Sequence, residues 1–290
     1  MGEARTFLRA IGAVVGAALL LASSGCSGDD GATTPASSTV SSIAVVSTTA
    51  LSATAERCHW LPSCQANRWR RVVADETMLA TWQEQADPAH TALVMVDLQN
   101  DFGHLDGWVA QQQVPGFLGD TGISAVLDRS HELLDAAREA DALRIFVRML
   151  GDERYLSGPW KALYGRNHGH VRPPCVYEGT WGADWVEGLG PDGSERELII
   201  DKYRYSAFIG TRLDLVLRSH GVRTLLICGV ATSGCVESTI RDGFMLDYYT
   251  VIAGDACGDY ESARHQATLS KMSLSFGTVI DTKELVHHWT

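Results

Sequence analysis

The sequence predicts an α/β protein with a mainly parallel central sheet and helices on both faces. Two observations carry this. From residue 91 onward, compact apolar runs alternate with segments whose apolar residues recur at helical spacing. Alternation of that kind builds a parallel sheet covered on both sides. The runs are also apolar almost throughout, as strands buried on both faces must be. No internal repeat is visible.

The elements follow in order. TALVMVD (91–97) is a buried strand ending in Asp97. GISAVLDRSHELLDAAREAD (122–141) is a helix, and LRIFVRML (143–150) is the second strand. A polar, Gly- and Pro-rich region (151–196) reads as an insert of loops. ELIIDK (197–202) is the third strand and ends at Lys202. TRLDLVLRSHG (211–221) is a helix closed by Gly221, and VRTLLICGV (222–230) is the fourth strand. CVESTIRDGFMLD (235–247) is a helix with Glu237 and Arg241 spaced for an i,i+4 ion pair. YYTVIAGDAC (248–257) is the fifth strand, ESARHQATLSKMSLS (261–275) a helix, and GTVID (277–281) a short last strand.

The chain has 290 residues, 45% hydrophobic and 20% charged, with a net charge of -11. That balance argues against nucleic acid as a partner, because phosphate binding needs a basic surface. The start of the chain reads as a processing segment. Arg5 and Arg9 precede an apolar run (10–22), and small residues then lead to Cys26. The run is shorter than the roughly 20 residues of a membrane span and has the size of a secretory h-region. Small residues ending in a Cys resemble a bacterial lipobox, with Ser23 departing from the usual Leu. Residues 1–26 are therefore expected to be an export signal with Cys26 as the lipidation site. Protein so exported would sit at the cell envelope, touching the membrane only through its lipid anchor. Residues 27–55, rich in Ser, Thr and Ala, read as a flexible linker. Residues 56–90 form an extension in which Cys58 and Cys64 are a plausible local disulfide in an oxidising compartment.

Three reactive residues fall at or just beyond the carboxyl ends of predicted strands: Asp97, Lys202 and Cys235. In open α/β sheets that rim is where ligands bind. Cys235 sits where a strand gives way to a helix, behind Gly229, Ala231, Thr232, Ser233 and Gly234. A helix start favours a thiolate, and small residues let a substrate approach the backbone. The plain alternative, a small buried thiol, suits the mid-strand Cys228. Asp97 closes an apolar strand, where a carboxylate needs partners; beside a thiol it can act as general base. Lys202 reads either as a site cation or as a solvated strand end pairing with Asp201.

The segments ALVMVDLQNDF, DKYRYSAF and GVATSGCVEST resemble, in combination, the signature segments of the isochorismatase-like cysteine hydrolases, across residues 91–290. The resemblance implies a three-layer α/β/α fold and a catalytic triad of Asp97, Lys202 and Cys235. It also implies a cis peptide between Val230 and Ala231, and backbone N–H groups of Ala231 and Cys235 forming an oxyanion hole. The expected chemistry is cleavage of a small carboxamide, ureide or carbamoyl compound through a thioester, with release of ammonia. Within the family the segments look most like ureidoacrylate and biuret amidohydrolases. No cofactor is implied, and no metal: His168 and His170 have ligand-like spacing but no adjacent acid. A homo-oligomer is expected by resemblance alone.

Substrate-binding candidates are Gln99, Asn100, Phe102, Tyr155, Tyr205 and Phe208, with Trp108 and Trp181 as further aromatics. In the insert, Arg166, His168 and Arg172 are placed to meet an anion, since loops carry specificity on such scaffolds. Two other readings stand beside catalysis. One is a silent member of the same fold that binds a small molecule or partner at the envelope. The other makes Cys235 a redox sensor paired with Cys257.

Overall fold

The computed structural model describes residues 78–112 and 122–290. The expected export signal with Cys26, the expected linker and the expected Cys58–Cys64 disulfide lie outside the described residues. Six parallel strands form one sheet in the order β3-β2-β1-β4-β5-β6. They are β1 (Thr91–Val96), β2 (Leu143–Met149), β3 (Glu197–Lys202), β4 (Thr224–Val230), β5 (Tyr249–Gly258) and β6 (Thr278–Ile280). Six helices matter for the site: α1 (Ile123–Glu139), α2 (Gly158–His168), α3 (Leu213–Ser219), α4 (Glu237–Met245), α5 (Ser262–Ser275) and α6 (Thr282–Trp289).

Successive side chains of a strand point to opposite faces, and this divides the core. Leu93 and Met95 of β1 join Phe146, Leu133, Leu134, Leu285 and Trp289 on the face covered by α1 and α6. Ala92, Val94 and Val96 join Ile145, Leu213, Leu217, Ile240 and Met272 on the face covered by α3, α4 and α5. The result is a three-layer α/β/α arrangement. Every residue of β1 and β4 is buried. These central strands have a neighbour on each edge and helices on each face, so their unbroken apolarity has its cause here.

The strand order reverses between β1 and β4. From β1 the chain moves outward through β2 to β3, then returns to β4 on the other side of β1. The carboxyl ends of β1 and β4 therefore flank the topological switch point, where a crevice opens.

Two helices depart from the sequence reading. Part of the 151–196 insert folds as α2, with Pro159 in its first turn and Gly169 closing it at φ 74°. Its Gly content hides the period, yet Pro is well placed at a helix start and Gly just past its end. The chain also continues past the last strand as α6, whose Trp289 indole N–H donates to the Ala86 carbonyl at 2.6 Å. The expected pair Glu237–Arg241 forms, at 2.6 Å.

Gly229 has φ 118°, and a Cβ there would stand 2.0 Å from the Val96 carbonyl oxygen. Only glycine lets β4 pass so close to the end of β1. Gly229→Ala is expected to cost about 2 kcal/mol or more, through strain and collision with fixed backbone. Urea denaturation checks this, and an unchanged midpoint would contradict the close approach.

Candidate active site

Asp97 is the first residue past β1, and it takes the left-handed conformation, φ 55°. That is uncommon for a non-glycine residue and is found where surrounding structure enforces it. Its N–H donates to the Val147 carbonyl at 3.0 Å, which ties the turn to β2. Lys202 ends β3, two strands away from β1. Its side chain crosses the end of β2, where its Nζ lies 3.6 Å from Met149 Sδ. The same Nζ reaches Asp97 Oδ2 at 2.7 Å and donates to Cys235 Sγ at 3.2 Å and to the Arg204 carbonyl at 3.1 Å. Lys202 is 0% exposed and Asp97 1%. The reading of Lys202 as a solvated strand end is thereby corrected: Asp201 pairs with Arg148 instead, at 2.8 Å.

Cys235 does not begin an ordinary helix. It lies in a π-helical turn, Thr232–Val236, that precedes α4. Turns of this kind occur often at functional sites. The turn is held from the β5–α5 side. Asp259 Oδ2 accepts the Ser233 N–H at 2.7 Å, and Thr232 Oγ1 contacts His265 Nδ1 at 2.9 Å. Asp259 is itself paired with Arg264 at 3.5 Å, and Arg264 also meets Glu261 at 3.2 Å. The Val230–Ala231 peptide bond is cis.

The electrostatics are those of an ion pair carried out of water beside a thiol. Burial raises the Asp97 carboxyl above its ordinary value, with Lys202 and Cys235 pulling the other way. For Lys202, burial alone would lower the ammonium, but Asp97 and Cys235 together hold it above its usual value. The Cys235 thiol is pushed up to about 12, by burial first and then by the Asp97 charge, against the pull of Lys202. At neutral pH the Cys235 thiol is therefore un-ionised at rest, beside the Lys202 ammonium and the Asp97 carboxyl. The Asp97 carboxyl is held by the Lys202 ammonium at 2.7 Å, and Cys235 bears on it as well.

Above these three groups opens a cavity of about 620 Å³. Asp97, Val230, Ala231 and Cys235 line its base, and Phe102, Trp108, Tyr164, Tyr205, Tyr260 and His168 its sides. Of the sequence candidates, Phe102 and Tyr205 reach it. Four do not, and are corrected. Gln99 is fully buried as a splint: its Nε2 donates to the Met149 and Ala183 carbonyls at 3.0 and 2.9 Å, and its Oε1 accepts the Met149 N–H at 2.8 Å. Asn100 donates to the Trp181 carbonyl at 2.9 Å. Tyr155 packs on Tyr203, with ring centroids 4.2 Å apart. Phe208 stacks on Tyr248 in the core.

Within the insert, His168 lines the cavity, whereas Arg172 pairs with Glu153 at 3.3 Å and Arg166 is exposed. Trp181 is 49% exposed and stands outside. No cluster able to hold a metal occurs among the described residues. The pairing of Cys235 with Cys257 is not present: both are free thiols, and Cys257 is buried on β5 facing the Ile227 carbonyl. Sequence reasoning missed Tyr164, Cys175, Asp259 and Tyr260. The last two follow β5, so the strand-end rule that located Asp97 and Cys235 would have found them.

A family model described as an isochorismatase domain matches residues 91–284. The chain is 32% identical over 211 residues to ureidoacrylate amidohydrolase RutB of Klebsiella pneumoniae, covering 69% of this chain and 87% of the relative. It is 31% identical over 218 residues to the RutB of Acinetobacter baylyi, covering 70% and 85%. Among solved structures, a cysteine hydrolase from Pseudomonas syringae superposes with a TM-score of 0.59 at 26% identity, over 70% of this chain and 93% of that one. N-carbamoylsarcosine amidase from Thermoplasma acidophilum shares the fold, with a TM-score of 0.52 at 21% identity over 66% and 96%.

Removing one member of the buried ion pair leaves the other charge unpaired, which typically costs about 3–5 kcal/mol. Asp97→Asn and Lys202→Met are each expected to lose about that much stability. The double variant should lose less than the sum. A double-mutant cycle by chemical denaturation measures this, and additive losses would contradict a coupled pair.

Proposed function

The chain belongs to the isochorismatase-like cysteine hydrolase family, and from that premise we propose that it is a cysteine-dependent amidohydrolase. It cleaves the C–N bond of a small carboxamide, ureide or carbamoyl compound and releases ammonia. The observation that carries this reading is the bridging ammonium: Lys202 Nζ contacts both Asp97 and Cys235 at the base of one cavity. The names of the RutB relatives point to ureides within that class.

The chemistry follows from the charges. A thiol near 12 is rarely ionised at rest, so its proton must leave as attack begins. Asp97 is the acceptor, and its raised value makes it a stronger base than an ordinary carboxylate. The sulfur attacks the carbonyl carbon, and the N–H groups of Ala231 and Cys235 receive the developing oxyanion. One such donor is typically worth about 3–4 kcal/mol. Protonated Asp97 hands its proton to the departing nitrogen, the C–N bond breaks, and a thioester remains. Water then gives a proton to Asp97 and attacks the thioester, and the sulfur leaves with that proton. Lys202 keeps Asp97 and the transient thiolate charged in a dry site.

Ammonia release across ureides, carbamoyl compounds and carboxamides tests the proposal. Cys235→Ser should lower turnover by about 10³-fold or more; equal turnover by this variant would remove the thioester route. Because the carboxylate form of Asp97 is the base, kcat/KM should fall as pH drops through its raised value, above the ordinary 3.8. On the alkaline side the profile should stay flat past the ordinary Lys value, since Lys202 is held higher. An acid limb at or below 3.8 would contradict this assignment.

We further propose that residues 1–26 direct export and that Cys26 carries the lipid. Support comes from the sequence pattern. Cys26→Ala should release the protein from membrane fractions, and unchanged partition would count against the anchor.

A further inference from the structure

The reacting groups occupy only the base of the cavity, and much of what rises above them is apolar. Phe102 and Trp108 pack into two hydrophobic clusters at once. Val109 and Val230 belong to one cluster, Met149 and Val176 to the other, and all six side chains line the cavity. The four aliphatic ones are 2%, 1%, 8% and 3% exposed in that order, so this lining is part of the core turned toward the site. The space itself is about 620 Å³. That lies within the range of about 300–1,000 Å³ that takes a drug-sized ligand. A bare amide or urea head fills little of it.

The charged groups around this space are already engaged. Asp97 is paired with Lys202 at 2.7 Å. Asp259 accepts the N–H groups of Ser233 and Tyr260, at 2.7 and 2.8 Å. Among the described residues Arg264 is the one Lys or Arg in the lining, and it faces two acids, Asp259 at 3.5 Å and Glu261 at 3.2 Å. His168 is held below its ordinary value by loss of water and by His170, so its ring is neutral at physiological pH. An incoming anion would have to take Arg264 from its two carboxylates and lie near Asp97 and Asp259. Bringing an ionised group out of water without a free partner is costly, whereas each apolar carbon buried on such a surface is stabilising.

The leaving group fixes where the apolar part of a substrate must sit. Ammonia carries no substituent, so everything else stays with the carbonyl that Cys235 attacks. Resting on the amidohydrolase reading above, we propose that the substrate is an uncharged amide or ureide whose carbonyl fragment bears an extended apolar group, seated against Phe102 and Trp108. Ureidoacrylate, in the name of the RutB relatives, is an acid. The cavity lining therefore gives this chain a specificity different from the one that name describes, above the same kind of reacting base.

The test is a chain-length series with the wild type: linear carboxamides from acetamide to hexanamide and N-alkylureas from methylurea to pentylurea. Succinamate and 3-ureidopropionate serve as the charged counterparts of pentanamide and butylurea. In whichever series releases ammonia, kcat/KM should rise about 2- to 4-fold with each added methylene, mainly through KM. Each acid should fall at least about 10-fold below its neutral counterpart. A flat series, or preference for the acid, overturns the inference. Trp108→Ala and the milder Phe102→Leu should each flatten the slope, lowering the ratio of longest to shortest compound by about 3-fold or more. An unchanged ratio in both variants overturns the placement against these rings. Calorimetry of the same compounds with Cys235→Ala reads binding without turnover: affinity should climb with chain length, and equal affinities overturn the inference. Absence of ammonia from every compound with the wild type would instead defeat the amidohydrolase reading, and the calorimetric series would still decide between an apolar and an anionic ligand.

Discussion

A buried ammonium between a carboxylate and a thiol is the constraint on which the rest depends. Lys202 and Asp97 are withdrawn from water, and such a pair is stable only if the geometry is good and the charges stay together. Here one partner ends β3 and the other follows β1, with β2 between them. Their approach requires those strands to stay in register, so the sheet and the pair hold each other in place. Desolvation raises Asp97 toward a useful base strength, while the ammonium beneath it keeps the pair charged.

The polar residues after β1 have a structural job that their position next to Asp97 conceals. Gln99 bridges the end of β2 to Ala183, Asn100 holds Trp181, and Asp101 accepts the Val176 N–H at 2.7 Å. They fasten the long insert over the crevice, so that Cys175, Val176 and α2 become walls of the cavity. On the opposite side Asp259 and His265 steady the π-helical turn that carries Cys235. The reacting groups are thus held by a strand end on one side and by a braced turn on the other. Precise placement of this kind is what positioned catalysis requires.

The two thiols of β4 and its following turn show how place decides chemistry. Cys228 lies mid-strand, fully buried, pushed up to about 12 by burial with no ion pair beside it. Cys235 reaches a similar value but faces a cavity and touches an ammonium. The same pKa means inertness in one case and a latent nucleophile in the other, because only the second has a base and a route for substrate.

By itself the sequence determined the alternation of elements, the buried central strands and the three strand-end residues of the site. These are legible because period and strand ends are local properties, set by which side chains must avoid water. Helix α2 was not legible, since Gly158, Gly165 and Gly169 blur its period and packing against the insert stabilises it. The roles of Gln99 and Asn100 were equally hidden: a polar residue beside a catalytic acid reads alike whether it faces substrate or backbone. Tyr164 comes from the insert, far along the chain from the strand ends of the site, and nothing local marks it, whereas Asp259 and Tyr260 stand just past β5. Only the tertiary structure decided which of these side chains share a cavity, because the order of strands across the sheet, unlike their order along the chain, sets which strand ends meet.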